Sequence, residues 1–474
     1  MCLAESALKR NGTEALMRST FRAFVPTSAT GVPAARARLV SYNILADELC
    51  MTEKHSYCPV KDREWRGDSG RGARLVAELL SYEADIVCLQ ECSLRKFDDC
   101  FRTGLGKEFT GFHHSAHLST RRAAAEARMS VTGLATFVRS AAWKPVNVQA
   151  VRLGDDSDAR GHIGSLQQTL RARDESVLLV LLEHVASGAR LAVGNTHLHW
   201  DPRQPHVKSS QAELAARGLA AFASVRPAGA PSTEASAAAS CPIALVGDFN
   251  SVPHLQPSFL PSAQRAALPE LLPVEWQASA VYRLLSNGNV ESTHPEHPTA
   301  FRAGQAASKE AAKEDAAATA AAAAAARTVA PSFAKAAAAG AAAAPCVEPA
   351  SSLEPPSKRS RNAQKRPHHS NASEASGGTQ CNLGALTTGV PLRDAYWGAL
   401  APGPLPLTTH ADDFAGCLDY CWISPAIEVR EVLAMPYELN APAAFGKIPS
   451  AEFPSDHLAI ACTLAVPIGA DLSA

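Results

Sequence analysis

Short apolar runs, most with an acid, an amide or an imidazole at or near one end, restrict the fold of this chain more than any other feature. "CPIALVGDFN" (241–250), "RLAVGNTHLHW" (190–200), "CLDYCWIS" (417–424) and "HLAIACTLAV" (457–466) are examples, and "SVLLVLLEH" (176–184) and "GLATFVRS" (133–140) belong to the same series. Such runs are too short for buried helices and suit strands covered on both faces, or sheets packed together. "ARLVSYNIL" (37–45) reads as another strand, and "ADIVCLQEC" (84–92) as an apolar run closing on Gln90 and Glu91. Between strands, "RGARLVAELLSYE" (71–83) places Leu75, Val76, Leu79 and Leu80 on one helical face, and "KSSQAELAARGLAAFASV" (208–225) is also helical in pattern. One large α/β domain over residues 37–467 fits this alternation better than several small ones.

Composition narrows the function classes. Lys and Arg number 45 and Asp and Glu 46 in 474 residues, so no global charge draws the chain to nucleic acid. No apolar run reaches the roughly 18 residues that span a bilayer, so a soluble chain without a membrane partner is expected. The 12 cysteines form no C-x-x-C pair and no zinc-ribbon spacing. Cys88, Cys421 and Cys462 lie inside apolar runs and read as buried free thiols of a reducing compartment. The cytoplasm is the expected location, with nucleus or organelle as alternatives. Residues 1–36 read as a flexible N-terminal extension and 226–240 as a loop. Residues 303–378 read as a low-complexity insertion without stable structure: an alanine tract, then a basic stretch containing "KRSRNAQKR" that is better taken as a solvated charge run than as a targeting signal.

The ends of the runs carry the chemistry. "SYN" offers Asn43, "CLQE" Glu91, "NTHLHWDP" His197, "GDFN" Asp248 and Asn250, "CLDY" Asp419, and "FPSDH" Asp456 and His457. One polar strand ending is ordinary. Six such endings point to hard oxygen ligands suited to Mg²⁺ or Mn²⁺, with amides and imidazoles suited to a phosphoryl group. The two histidines of "THLH" alternate along a strand, so only one easily faces such a site. "HHSAH" (113–117) reads as an exposed loop, and "GDDSD" (154–158) lacks a calcium loop. "HPEHP" (294–298) carries no nameable chemistry.

Read in order, "SYNILAD", "DIVCLQE", "NTHLHWDP", "GDFNSVP", "SAVYRLLSNGNVESTHPEH", "FAGCLDYCWIS" and "FPSDHLAIACTL" resemble the endonuclease/exonuclease/phosphatase superfamily, within it the carbon catabolite repressor, nocturnin and Angel group of deadenylase-like enzymes. The resemblance implies a deoxyribonuclease I-like four-layer α/β sandwich, two mixed sheets flanked by helices, and Mg²⁺-dependent phosphoester hydrolysis at one end of it. By resemblance, Glu91 is the main metal ligand, Asn43 contacts metal-bound water or phosphate, and Asp456 serves a second metal or orients water. Asp248 aligns or deprotonates the attacking water, and Asn250 binds the scissile phosphate. Asp419 fixes His457, which donates to the phosphate with His197, the histidine of "THLH" that the resemblance selects. Pro202 and Phe414 match a pair that sandwiches the terminal adenine, and Trp200 reads equally as a platform or a buried anchor. The implied activity is 3′-to-5′ removal of adenylates from RNA with a 3′ poly(A) tail. The alternatives are a small adenine nucleotide (NADP 2′-phosphatase), a 2′,5′-phosphodiesterase, or an inactive RNA-binding scaffold. "YCPVKDREWR" and "KIPSAEFPSDHL" lean toward nocturnin and "HWDP" toward the repressor type. Thr132 stands where the family often has an acid before the glycine, and docking through leucine-rich repeats is not expected.

Overall fold

The computed structural model describes residues 22–27, 34–115, 132–155, 157, 164–224, 241–328, 383–396, 406–412, 414–436 and 446–468. Most of the 1–36 extension, the 226–240 loop, and the insertion from 329, including "KRSRNAQKR", lie outside these residues.

Two mixed sheets pack face to face. The first has seven strands in the order Phe24–Pro26, Glu428–Leu433, Ile460–Pro467, Ala34–Asn43, Ile86–Ser93, Thr132–Arg139, Phe109–His114. The second has six, in the order Arg393–Asp394, Asp419–Ile423, Ile243–Asp248, Arg190–His197, Ser176–His184, Trp143–Arg152. Alternation sends one side of each strand inward: Leu39, Ile86, Cys88 and Cys462 of the first sheet meet Val180, Val193, Val246 and Cys421 of the second. The opposite faces are covered by helices. Leu75 and Leu79 of the Arg71–Ser81 helix pack with Tyr42, Leu89 and Phe137 on the first sheet. Val207, Leu214 and Leu219 of the Pro205–Ala223 helix pack with Leu179 and Leu245 on the second. The result is the four-layer sandwich that the resemblance implies, in keeping with the single α/β domain read from the residue pattern.

The structure sharpens some boundaries and changes others. The 37–45 strand is Ala34–Asn43, so Asn43 is its last residue. Strand Phe24–Pro26, within the segment expected to be flexible, pairs antiparallel with Leu433–Glu431. His113 and His114 are not in an exposed loop; they end the edge strand Phe109–His114, half-buried, with His113 Nε2 2.9 Å from the Cys92 carbonyl. Pairing with Thr132–Arg139 explains this, since it gives the backbone of 109–114 a ladder partner. His117 lies outside the described residues.

A helix, Pro298–Thr328, takes in the first part of the segment expected to lack structure. Alanine carries the most favourable helix propensity, and the helix begins on a packed turn around buried Phe301. Residues 308–380 group as a second unit, described only over its helical part. The described residues of the other unit form the sandwich.

Candidate active site

The sheets bring strand ends together in rows. His197 is paired with Asp248 in the parallel ladder, and Asp248 with Asp419 in the antiparallel one, so three site residues sit abreast on neighbouring strands. In the facing sheet Asn43 is abreast of Gln90. A register shift between Leu89 and Cys92, with Glu91 at φ 59°, turns the Glu91 carboxylate out of the regular pleat. Gly247 (φ 145°) has to be glycine, because a Cβ there would stand 1.8 Å from the Thr196 carbonyl oxygen of the adjacent strand. Asn250 (φ 50°) takes the left-handed turn that follows, closed by its own N–H donating to Asp248 Oδ1 at 2.8 Å.

Side chains join the rows into one cluster. Asn43 Nδ2 donates to Glu91 Oε1 at 3.2 Å and to Asp248 Oδ2 at 3.0 Å, while Asn43 Oδ1 accepts from the Leu45 N–H at 3.0 Å. That network fixes which amide atom is which: only the NH₂ suits two carboxylates and only the oxygen suits an N–H. Both Asn43 N–H bonds go to carboxylates, so the side chain bridges and spaces Glu91 and Asp248, while Oδ1 accepts one N–H and keeps a second lone pair. Glu91 Oε2 accepts from the Ala46 N–H at 2.7 Å.

Asp248, 1 % exposed, also faces two imidazoles, His197 Nε2 at 3.4 Å and His457 Nε2 at 3.7 Å. On its other nitrogen, His457 Nδ1 lies 2.8 Å from Asp419 Oδ2, so the ring is clamped in line between two acids. Burial pulls the His457 imidazole down, but the carboxylates of Asp419, Asp248 and Asp456 outweigh it and push the group well above its ordinary 6.5. Burial pushes the Asp419 carboxyl up, and the His457 cation opposes that. Both shifts favour keeping a proton between the pair. Three carboxylates surround the imidazole and one cation faces Asp419, so the proton belongs on His457.

The remaining candidates fall at different places. Asp456 is buried and pairs with His55 Nε2 at 3.6 Å, a partner that no motif announces. Asn250 Nδ2 donates to the Leu198 carbonyl at 2.9 Å, leaving its second N–H for another acceptor. Pro202 is half-buried just beyond His197. Phe414 is half-buried in the hairpin of Thr409–His410 with Ala415–Gly416, and that hairpin is bridged to His457 through Thr409. Trp200 is 67 % exposed, which rules out the buried anchor. His199, 2 % exposed, is turned away and held by Glu175 at 3.0 Å.

Sequence reasoning missed the residues that hold the site from behind. Arg71, 0 % exposed, donates to the Ile44, Leu45 and Pro454 carbonyls, tying the turn after Asn43 to the turn before Asp456. Ser455 Oγ donates to the Asn43 carbonyl at 2.6 Å and accepts from the His457 N–H at 3.2 Å. Asn195 links the sheets: its Nδ2 donates to the Leu89 and Ala135 carbonyls and its Oδ1 accepts from Gln90 Nε2. Gln90 and Asn195, polar residues inside apolar runs, were the available signal.

The charge balance fits a divalent cation. Glu91, Asp248, Asp419 and Asp456 stand against the imidazoles of His55, His197 and His457, an excess of negative charge in a largely buried place. Among the described residues Glu91 has neutral donors and no ion-pair partner. One ligand atom each from Asp248, Asp419 and His457 falls within 4.8 Å of the others. Because His457 is already clamped by Asp419, and Mg²⁺ favours oxygen, Glu91 is the better anchor for such an ion.

The sequence profile of the Endonuclease/Exonuclease/phosphatase family matches residues 40–305, more than half of the chain. The chain belongs to the Endonuclease/Exonuclease/phosphatase family. It is 26 % identical over 290 residues to the CCR4-Not complex 3′-5′-exoribonuclease subunit Ccr4 of Phaeosphaeria nodorum, covering 54 % of this chain and 44 % of that protein. Against the same subunit of Mycosarcoma maydis it is 27 % identical over 273 residues, covering 54 % and 36 %. It thus spans less than half the length of these relatives. The crystal structure of ANGEL2, a 2′,3′-cyclic phosphatase, in complex with adenosine-2′,3′-vanadate is similar with a TM-score of 0.55 at 17 % identity, over 94 % of this chain and 98 % of that one. That likeness speaks for the shared fold. Family membership makes the rim cluster the candidate active site of a nuclease or phosphatase.

Proposed function

We propose that this chain is a Mg²⁺-dependent 3′-to-5′ exoribonuclease that shortens the 3′ adenylate tails of RNA and releases AMP. The observation that carries the reading is the clamped row Asp419–His457–Asp248–His197, with Glu91 one amide away. A bound Mg²⁺, held by Glu91 with Asp456 at a second position, would supply charge neutralisation at the phosphate and a more acidic water. The chain's own groups supply the rest. Asp248 Oδ2 accepts the proton of the attacking water or aligns it. His457, kept protonated by Asp419, and His197 donate to the nonbridging oxygens, where negative charge builds in the transition state. The second N–H of Asn250 binds the same phosphoryl group. Pro202 and Phe414 hold the terminal adenine between them, and the names of the Ccr4 relatives support the choice of an RNA tail.

The test is a substrate panel on the full chain with Mg²⁺ or with chelator: RNA ending in oligo(A), RNA ending in a 2′,3′-cyclic phosphate, 2′,5′-linked oligoadenylate, and NADP. Stepwise shortening of the oligo(A) end that stops with chelator is expected. A folded protein that leaves oligo(A) intact and turns over another member of the panel overturns the reading.

A further inference from the structure

The loop that follows His197 is sewn to the site. The Leu198 N–H donates to the Asp248 carbonyl at 2.9 Å, and the Leu198 carbonyl accepts from Asn250 Nδ2 at 2.9 Å. Beyond it the inward residues are fixed. The His199 N–H donates to Gln211 Oε1 at 2.9 Å and its Nδ1 lies 3.0 Å from Glu175. Asp201, 4 % exposed, receives Arg203 Nε and Nη2, each at 3.0 Å, and Gln204 Nε2 at 3.1 Å. Between these two pinned neighbours Trp200 stands 67 % exposed, the one aromatic among the large apolar side chains that the described residues expose. An indole gains from burial, and a loop held this firmly does not expose one through slack.

We propose that Trp200 is a stacking platform for the base of the single-stranded RNA nucleotide next to the one whose phosphate is attacked. This rests on the reading of the site as an RNA phosphodiesterase. Reach supports it: Trp200 is two residues from Leu198, whose backbone touches both Asp248 and Asn250, so its Cα is within roughly 7 Å of that contact. Chemistry supports it as well. An indole face accepts any base, and a positively charged edge beside it suits a phosphate chain. Arg203 is exposed and held by Asp201 through Nε and Nη2; the pair has no net charge, but its outer N–H groups face solvent and suit a phosphate oxygen as hydrogen-bond donors. The platform therefore confers dependence on the presence of a neighbouring base, with little dependence on its identity.

The experiment uses the full chain, Trp200→Ala and Trp200→Tyr, on two RNAs: one ending in oligo(A), and the same RNA with an abasic ribose at the penultimate position. Wild type should show a KM at least tenfold higher on the abasic RNA. Trp200→Ala should raise KM on intact oligo(A) about as much, lose nothing further on the abasic RNA, and keep kcat within twofold; Trp200→Tyr should recover most of the loss. Unchanged KM in Trp200→Ala, or additive losses from the two changes, overturns the proposal. A binding arm separates this from the reading of the activity. In an Asp248→Asn background, oligo(A) should quench tryptophan fluorescence, and adding Trp200→Phe should remove that quench. Wild type that cuts no oligo(A) sinks the proposed activity, and the fluorescence result still decides the platform; a quench that survives Trp200→Phe overturns it.

Discussion

Two of the buried groupings of acid and imidazole among the described residues use the same residue types in different ways. At the rim, Asp248 faces Asn43, His197 and His457, and His457 is held by Asp419. Around residues 294–297, His294, Glu296 and His297 are buried as well, but their atoms are spent on backbone. His294 Nε2 meets the Ala278 carbonyl at 3.1 Å and its Nδ1 accepts from the Glu296 N–H at 3.2 Å. His297 does the same with the Gly384 carbonyl and the Thr299 N–H, and Glu296 Oε2 accepts from the Ala280 N–H at 2.7 Å. The first cluster sets side chain against side chain with charge in excess. The second staples loops. Residue type is shared, and what differs is whether each polar atom already has a backbone partner.

The largest effect should come from breaking the first cluster while sparing its shape. Asp248→Asn keeps an oxygen for the Asn250 N–H and removes the charge that faces two imidazoles, so turnover of oligo(A) should fall by about a thousandfold or more. Glu296→Gln, equally conservative and equally buried, should leave kcat within about twofold. Steady-state kinetics on both variants, with circular dichroism to confirm folding, decides the matter: similar losses from the two would erase the distinction.

Asp419→Asn is expected to come next, with a loss of about a hundredfold. It also carries a pH signature. His457 is held protonated above its ordinary 6.5 by carboxylates that outweigh its burial. With the Asp419 charge gone, burial gains and the imidazole releases its proton at lower pH. The alkaline limb of the kcat–pH profile should therefore move to lower pH than in wild type. An unmoved limb would mean that His457 does not act as the protonated donor.

The second cluster should reveal itself in stability. Burial raises Glu296 from 4.5 to about 7, opposed by the Ala280 N–H and Lys208, and burial lowers Lys208 from 10.5 to about 8, opposed by Glu296. From pH 4.5 to 7 the folded chain keeps a proton on Glu296 that the unfolded chain has lost, so stability falls as pH rises. From pH 8 to 10.5 the folded chain has shed the Lys208 proton that the unfolded chain still carries, so stability rises. His294 of the same cluster, lowered by burial to about 4, and His206, lowered to about 3, act in the opposite sense below pH 6.5, so the Glu296 contribution of about 3 kcal/mol is read in urea unfolding as a difference: the stability of wild type relative to Glu296→Gln should fall as pH rises from 4.5 to 7. A relative stability that does not change over that range assigns the titration elsewhere, and because the Glu296 charge also holds Lys208 up, the rise above pH 8 should begin at lower pH in the variant.

These differences mark what was legible in the sequence. Strand periodicity and polar run ends located the rim residues, because a strand that ends on Asp248 or Asp419 announces itself locally. "HPEHP" could not be separated from a site by composition, since the carbonyls of Ala278 and Gly384 that satisfy its histidines come from distant segments. The amide orientation of Asn43 was hidden for the same reason: it depends on Leu45, Glu91 and Asp248 meeting in space. Alanine-rich 303–328 was read by its lack of an apolar face, yet its helix starts from buried Phe301 and is carried on by propensity.

Asn195 lies between the two clusters in character and offers the smallest expected effect. Like the 294–297 group its atoms are spent, on the Leu89 and Ala135 carbonyls and on Gln90 Nε2, yet it stands two residues before His197, and Gln90 immediately precedes Glu91. Asn195→Ala leaves two carbonyls and one amide short of a partner between the sheets, a cost of about 2 kcal/mol. If spent atoms mark scaffold even beside the rim, urea unfolding should register that loss while kcat on oligo(A) falls less than about tenfold. A rate loss approaching that of Asp419→Asn, with stability unchanged, would show that the boundary between scaffold and chemistry runs deeper into the sandwich than the distribution of side-chain partners indicates.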